Sequence, residues 1–155
     1  MNPGNGTWPD QQTFLATLAR GIGAKTIVES GTYLGGTTKV LAEHNPEADV
    51  WTSDIVDHKV KLPANCHFYC MDFAQMIELF VPTIDFAYID ASGATNRETW
   101  LRKEHGELVL DRLTPGGIIA WDDTWSEWEG VDWIRDLCQI NLRVWKGLSL
   151  YQSER

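Results

Sequence analysis

Five short apolar runs, each closed by an acidic residue, alternate with helix-patterned segments along this chain. That alternation constrains the fold more than any other feature. The runs are KTIVE, ADVWTSD, NCHFYCMD, IDFAYIDA and GIIAWDD, with acids at Glu29, Asp54, Asp72, Asp90 and Asp122. Several are apolar almost throughout instead of alternating, which marks strands buried on both faces and hence a mostly parallel sheet. Right-handed crossovers follow from strand twist. Between the runs, Phe14, Leu15, Leu18 and Ile22 form a helical stripe over Asp10 to Ile22, with Asp10 as its expected cap. GTTKVLAEHN is a second helix, stopped at Asn45-Pro46, and FAQMIELF is a third. NRETWLRKEHGELVLDRL is the longest helical pattern, with Leu101, His105, Leu108 and Arg112 on one side and Val109 and Leu113 beside them. Gly106 inside it costs about 1 kcal/mol against alanine, so it marks a kink or a close contact. SEWEGVDWIRDLC is a helical pattern interrupted at Gly130. LRVWKG and LSLYQ read as two strands of a hairpin turning at Lys146-Gly147. The stretch from Ile55 to Ala64 contains Pro63 and is too short for a full crossover helix, so a loop or single turn is expected there. The fold class is therefore α/β: a Rossmann-like, doubly wound three-layer sandwich with a mostly parallel seven-stranded sheet and an antiparallel C-terminal hairpin. A chain of 155 residues fits one domain, with residues 1–9 as a flexible terminus.

In a parallel sheet the five acids share one edge, where ligands bind near the reversal of strand order. Burying a carboxylate without partners is costly, so a whole row of them points to a ligand. The stretch VESGTYLGGTT hands the first strand to its helix through Gly31, Gly35 and Gly36, which let backbone approach a bound group. It is not the dinucleotide fingerprint, because Tyr33 stands where the second glycine would be. It is not a phosphate-cradling loop either, because no Gly-Lys-Ser/Thr ends it. Glu29 repels phosphate and attracts a cation. Asp54 is placed to take two ribose hydroxyls. Asp72 or the backbone beside it can receive an exocyclic amine, with Phe73 beside the ring. A ribose, a base, a positive charge and no phosphate describe S-adenosylmethionine.

Composition narrows the partners. Thirteen basic against twenty-two acidic residues give a formal charge of −9, which disfavours nucleic acid and gives no basis for binding anionic membranes. Three cysteines without regular spacing, Cys66, Cys70 and Cys138, read as buried thiols in a reducing compartment. No signal peptide or spanning segment is legible, so the expected location is cytoplasmic.

The pieces VESGTYLGGTT, SDIVD, FAYIDA and LTPGGIIAWDDT, in that order, resemble class I S-adenosylmethionine-dependent methyltransferases, and within them the small O-methyltransferase-like group. The resemblance spans about Lys25 to Val131. It implies that Glu29, Gly31, Thr32, Tyr33 and Gly35 line the methionine half of the cofactor. It implies that Asp54, with Ile55 beside it, holds the ribose, that Asp72 and Phe73 contact the adenine, and that Asp90 lies near the methionine end and the acceptor. Related sequences often carry DGDHSY after the fourth strand, with a histidine often linked to catalysis. Here the stretch is DASGAT, and Gly93 stands in that histidine's place. The chain is also short, with only Asp10 to Ile22 available to shape an acceptor pocket, so the acceptor side is expected to be open or completed by another copy in a homo-oligomer.

Methyl transfer to a hydroxyl needs alignment, exclusion of water and help with deprotonation. Asp90, Asp122 and Asp123 are the candidates for that work. Metal-dependent O-methyltransferases that the chain resembles place magnesium or calcium on one acid after the fourth strand and an acid–amide pair after the fifth. Those positions fall near Asp90 and on Asp122-Asp123, so the three are also candidate ligands for Mg²⁺ or Ca²⁺. Alternatively, Asp123 caps the helix near Ser126 and Asp122 holds a loop. His58 is a loop histidine on the same rim, His44 a helix-end residue, His67 a core residue of its strand and His105 a packing or surface residue. Trp121, Trp125, Trp128 and Trp133 crowd the exit of the fifth strand, with Trp125 a candidate wall for the acceptor. The expected function is methyl transfer from S-adenosylmethionine to an oxygen of a small molecule. The alternatives are a non-catalytic cofactor-binding or assembly module and an enzyme that cleaves the sulfonium.

Overall fold

The computed structural model describes residues 7–91, 101–127 and 129–154. The expectations for 1–6, for the helix start before Leu101, for Gly93 and for Trp128 lie outside the described residues. The elements run α1 (Pro9–Gly21), β1 (Thr26–Ser30), α2 (Gly36–His44), β2 (Asp49–Asp54), β3 (Cys66–Cys70), α3 (Phe73–Phe80), β4 (Ile84–Ile89), α4 (Leu101–Leu110), β5 (Leu113–Asp122), α5 (Val131–Leu137), β6 (Ile140–Leu142) and β7 (Leu148–Gln152). The strands form one seven-stranded sheet in the order β3-β2-β1-β4-β5-β7-β6. The first five strands pair in parallel, and β7 pairs antiparallel with both β5 and β6. This is the doubly wound sheet with a C-terminal hairpin that the apolar runs predict. No helix of the described residues is long and apolar enough to cross a membrane.

Alternation along the buried strands separates the two faces. In β1, Ile27 packs with Leu15, Ala16 and Ala19 of α1 and with Leu41 and Ala42 of α2. Its neighbour Val28 faces the other layer, with Met76 and Ile77 of α3, Val109 of α4 and Ile134 of α5. The link from β2 to β3 carries no helix, as its length and Pro63 require.

Several local readings are corrected. Asp10 lies inside the first turn of α1 and does not cap it; Trp8 is the N-cap, without a side-chain bond, and Pro9 starts the helix. Proline presets the first-turn φ and needs no N–H partner there. The sixth strand is Ile140–Leu142 instead of LRVWKG. The turn consumes the rest: Trp145, Lys146 and Gly147 all adopt positive φ, and Trp125 N–H bonds back to the Lys146 carbonyl at 3.1 Å. His67 is not a core residue; its side chain is 37% exposed and pairs with Asp49 at 2.9 Å. Cys70 is exposed and Cys66 partly so, leaving only Cys138 buried. Burial raises the Cys138 thiol to about 12 and the Cys66 thiol to about 11.

Gly106 marks a close contact. A Cβ there would meet the Trp121 ring at 2.5 Å. The inward face of α4 is Arg102, His105, Gly106 and Val109; it shares His105 and Val109 with the side read in the sequence, and adds Arg102 and Gly106. Helix and strand are locked by the Trp121 indole N–H, which donates to the Arg102 carbonyl at 3.0 Å.

Candidate active site

Strand order reverses between β1 and β4, so their C-terminal ends open a crevice. Glu29, Asp54, Asp90 and Asp122 all stand at the C-terminal ends of parallel strands or one residue beyond. Asp72 follows β3 by two residues. The expected single rim of acids is thus present, but its members do different things.

Glu29 is 2% exposed. Its Oε2 accepts from the Thr38 hydroxyl of α2 and from the Thr52 hydroxyl of β2, the latter at 3.0 Å. Burial raises its pKa to about 7; the two hydroxyls oppose the rise and the charge of Asp54 adds to it. Glu29 therefore ties the floor of the glycine loop together. Above it, Gly31 and Thr32 N–H groups both donate to the Ser53 carbonyl. Gly31 has φ +94 and comes so near β4 that a Cβ would lie 3.3 Å from Ala91 Cα. Gly35 has φ +72, and a Cβ there would lie 2.8 Å from Val60 and 2.9 Å from Leu62. Gly35 thus admits the 55–65 loop rather than serving only a ligand.

Asp54 holds the rim. Its Oδ2 accepts the Tyr33 N–H at 2.7 Å and its Oδ1 the Val56 N–H at 3.0 Å. A carboxylate has about four acceptor positions, so about two remain. Around it stand apolar side chains in solvent: Ile55 is 68% exposed, Leu34 56%, Val56 50% and Tyr33 41%. Nothing in the core needs them there, and clustered exposed apolar side chains mark a surface made to be covered. Asp72 caps α3, accepting the Ala74 N–H at 2.9 Å. Phe73 is buried and lies 4.7 Å from the His105 ring. His105 is 4% exposed, and burial pushes it down to about 4, so it stays neutral.

At the other end of the crevice, Asp90, Asp122 and Asp123 bring carboxylate oxygens within 4.8 Å of one another. Burial raises Asp90 well above the usual carboxylate range, with the charge of Asp122 adding and that of Arg102 opposing. Burial likewise raises Asp122, with Asp123 adding and the Gln11 bond opposing. Such neighbours share protons. Asp122 is the inner member, 7% exposed, and accepts from the Gln11 Nε2 amide at 2.6 Å. Asp90 and Asp123 are more open, with side chains 28% and 32% exposed. Asp123 has φ +54, an uncommon left-handed conformation for a residue with a side chain. It makes a turn with Ser126 but no helix starts there; α5 begins after Gly130.

Arg102 is the residue that sequence reasoning missed. It is 3% exposed, and its Nη2 lies 3.2 Å from Asp90 Oδ1 and 3.2 Å from Asp123 Oδ2. Its Nη1 donates to the Asp122 carbonyl at 3.3 Å and Nη2 to the Asp90 carbonyl at 3.3 Å. Its signal was present: Arg102, Gly106 and Val109 fall at i, i+4 and i+7, one helix face. Three carboxylates suit a hard divalent cation by donor type. The guanidinium against two of them does not.

The other rim candidates divide. His58 stands 5.2 Å from the Tyr33 ring, away from the acidic trio on the loop after β2. Trp125 is held by the hairpin: its indole N–H donates to the Leu142 carbonyl at 2.7 Å, and Arg143 and Arg135 lie over its ring at 4.1 and 5.0 Å. Trp121 is fully buried core. At the opposite edge of the sheet, a concavity of about 250 Å³ borders Asp85 and Thr114. Asp85 is already spent on the Lys25 and Thr26 N–H groups and the Thr114 hydroxyl.

The chain is similar to solved methyltransferases over nearly its whole length. An O-methyltransferase from Bacillus cereus, in complex with S-adenosylhomocysteine, is 21% identical, with 98% of this chain and 84% of that one covered and a TM-score of 0.71. The O-methyltransferase TomG from Streptomyces achromogenes, involved in tomaymycin synthesis and in complex with S-adenosylmethionine, is 18% identical, with 99% and 83% covered and a TM-score of 0.70. The N-methyltransferase NodS from Bradyrhizobium japonicum is 15% identical, with 94% and 96% covered and a TM-score of 0.66. Identities this low speak for fold. No curated protein matches the chain at a significant level. The model of a family described as a methyltransferase domain matches residues 24–124, which run from the entry of β1 through the acidic trio. The chain belongs to the methyltransferase domain family.

Proposed function

We propose that the chain transfers a methyl group from S-adenosylmethionine to an oxygen of a small molecule. The observation that carries this reading is the pairing, on one crevice, of an apolar-fringed acid with spare acceptor positions, Asp54, and a compact acidic trio, Asp90, Asp122 and Asp123. Asp54 receives the ribose hydroxyls. Ile55 and Phe73 lie on the adenine side, with Asp72 or its backbone toward the exocyclic amine. Gly31, Thr32, Tyr33 and Gly35 face the methionine half, over the floor that Glu29 braces. S-adenosylmethionine supplies a methyl group on a sulfonium, whose C–S bond breaks toward sulfur as the acceptor oxygen bonds to carbon. Asp90, the more open of the raised pair, takes the hydroxyl proton as the oxygen attacks. Asp122 fixes Asp90 from beneath and Asp123 flanks it. The O-methyltransferases among the similar structures favour oxygen, and a carboxylate base matched to a hydroxyl agrees with them.

The test is methyl turnover on a panel of small hydroxyl acceptors. Asp90→Asn should lower kcat by about 10²-fold or more while S-adenosylhomocysteine affinity changes little. Unchanged turnover in that variant would remove Asp90 from the chemistry. Binding without turnover on any acceptor would favour the non-catalytic module.

A further inference from the structure

We infer that the guanidinium of Arg102 is the resident cation of the acidic trio, standing where a divalent ion would have to stand, so that the site holds its charge without a metal. The charge-holding role rests on geometry alone; its bearing on methyl transfer rests on the function proposed above.

One nitrogen, Nη2, is 3.2 Å from a carboxylate oxygen of Asp90 and 3.2 Å from one of Asp123. Two carboxylates therefore converge on a single cationic point. The same guanidinium donates to the main-chain carbonyls of Asp90 and Asp122. It touches all three members of the trio, as a bridging metal would. A hard ion needs these oxygens at about 2.0–2.6 Å, which puts it against a buried cation that cannot lose its proton in a protein. The guanidinium is also enclosed: Arg102 is 3% exposed, and its helix is held to β5 by the Trp121 indole, which donates to the Arg102 carbonyl with the ring against Gly106. The planar fork also does what a spherical ion does not: it fixes Asp90 and Asp123 in orientation. Arg102 is thus a positioning residue, keeping one carboxylate of the trio ionised and aimed at the acceptor.

The experiment is Mn²⁺ titration of the whole chain by electron paramagnetic resonance, read without reference to activity. The wild type is expected to bind no Mn²⁺ at the trio, and its methyl turnover is expected to survive EDTA unchanged. Arg102→Ala uncovers three carboxylates and should gain Mn²⁺ affinity by about tenfold or more; Arg102→Lys, which keeps a cation, should not. Mn²⁺ binding to the wild type that Asp123→Asn abolishes would overturn the proposal, as would no gain in a folded Arg102→Ala protein. If Arg102→Ala does not fold, Arg102→Gln takes its place, and the wild-type titration decides without either. Failure of methyl transfer on every acceptor would sink the proposed function and leave the Mn²⁺ result standing.

Discussion

Replacing Glu29 with glutamine should remove one pH-dependent contribution to stability. Glu29 is 2% exposed and gives one oxygen, Oε2, to two hydroxyls, those of Thr38 and Thr52. Burial is the largest influence on it and raises its pKa from 4.5 to about 7. A raised acid holds its proton more tightly in the folded chain than in the unfolded one. Its contribution is therefore complete below pH 4.5 and is lost as pH rises through 7. At about 1.4 kcal/mol per pH unit, the loss comes to about 3 kcal/mol. Glutamine keeps an acceptor oxygen for both hydroxyls and cannot ionise. Urea unfolding of both proteins, followed by circular dichroism, should show the stability gap shifting toward the variant by about 3 kcal/mol between about pH 4.5 and 8.5. Asp90 and Asp122 drift in the same direction, but equally in both proteins. A gap that stays constant across that range would refute the reasoning, because Glu29 would then titrate alike in both states.

Other expectations test the packing and the rim. Gly106→Ala should destabilise the fold by about 2 kcal/mol: overpacking against Trp121 costs about 3 kcal/mol, offset by about 1 kcal/mol of helix propensity. A gain in stability would show that the contact yields. Asp54→Ala should weaken S-adenosylhomocysteine binding about 100-fold, the worth of about two hydrogen bonds to a charged acceptor; unchanged affinity in calorimetry would remove Asp54 from the ribose. Asp72→Ala removes the cap of α3 and should cost about 1 kcal/mol in unfolding experiments, whereas an effect on stability near zero would show that the Ala74 bond contributes nothing.

Much of the architecture was legible because burial on two faces leaves a plain mark. Runs such as TIVE and IDFAYI are apolar where a half-exposed strand would alternate, and the acids that close them survive only at an edge. The hairpin's first strand was misplaced because Val144 and Trp145 look like strand residues, while the turn is set by tertiary bonds to Trp125 that no local pattern encodes. Two inward positions of α4 were missed for a similar reason. Hydropathy cannot count Arg102 or Gly106 as inward, yet Arg102 faces carboxylates and Gly106 faces a ring. The acids at the strand ends were found by position, while the structural bonds that some of them also make were not. Glu29 braces a loop through hydroxyls of Thr38 and Thr52, an approach that depends on the assembled fold, whereas Asp72 caps α3 through the local Ala74 N–H. Trp125 was read as an acceptor wall; its indole bonds to the hairpin at Leu142, and its ring lies under Arg143 and under Arg135 of α5.

The central claim is that this acid rim receives a cationic nucleoside without phosphate, and calorimetry with paired ligands tests it most directly. S-adenosylmethionine, which carries the sulfonium charge, should bind the wild-type chain at one site, and adenosine diphosphate, which shares the adenine and ribose but brings phosphates toward the acid rim, should not compete with it. Equal binding of the two, or heat from neither, would contradict the account.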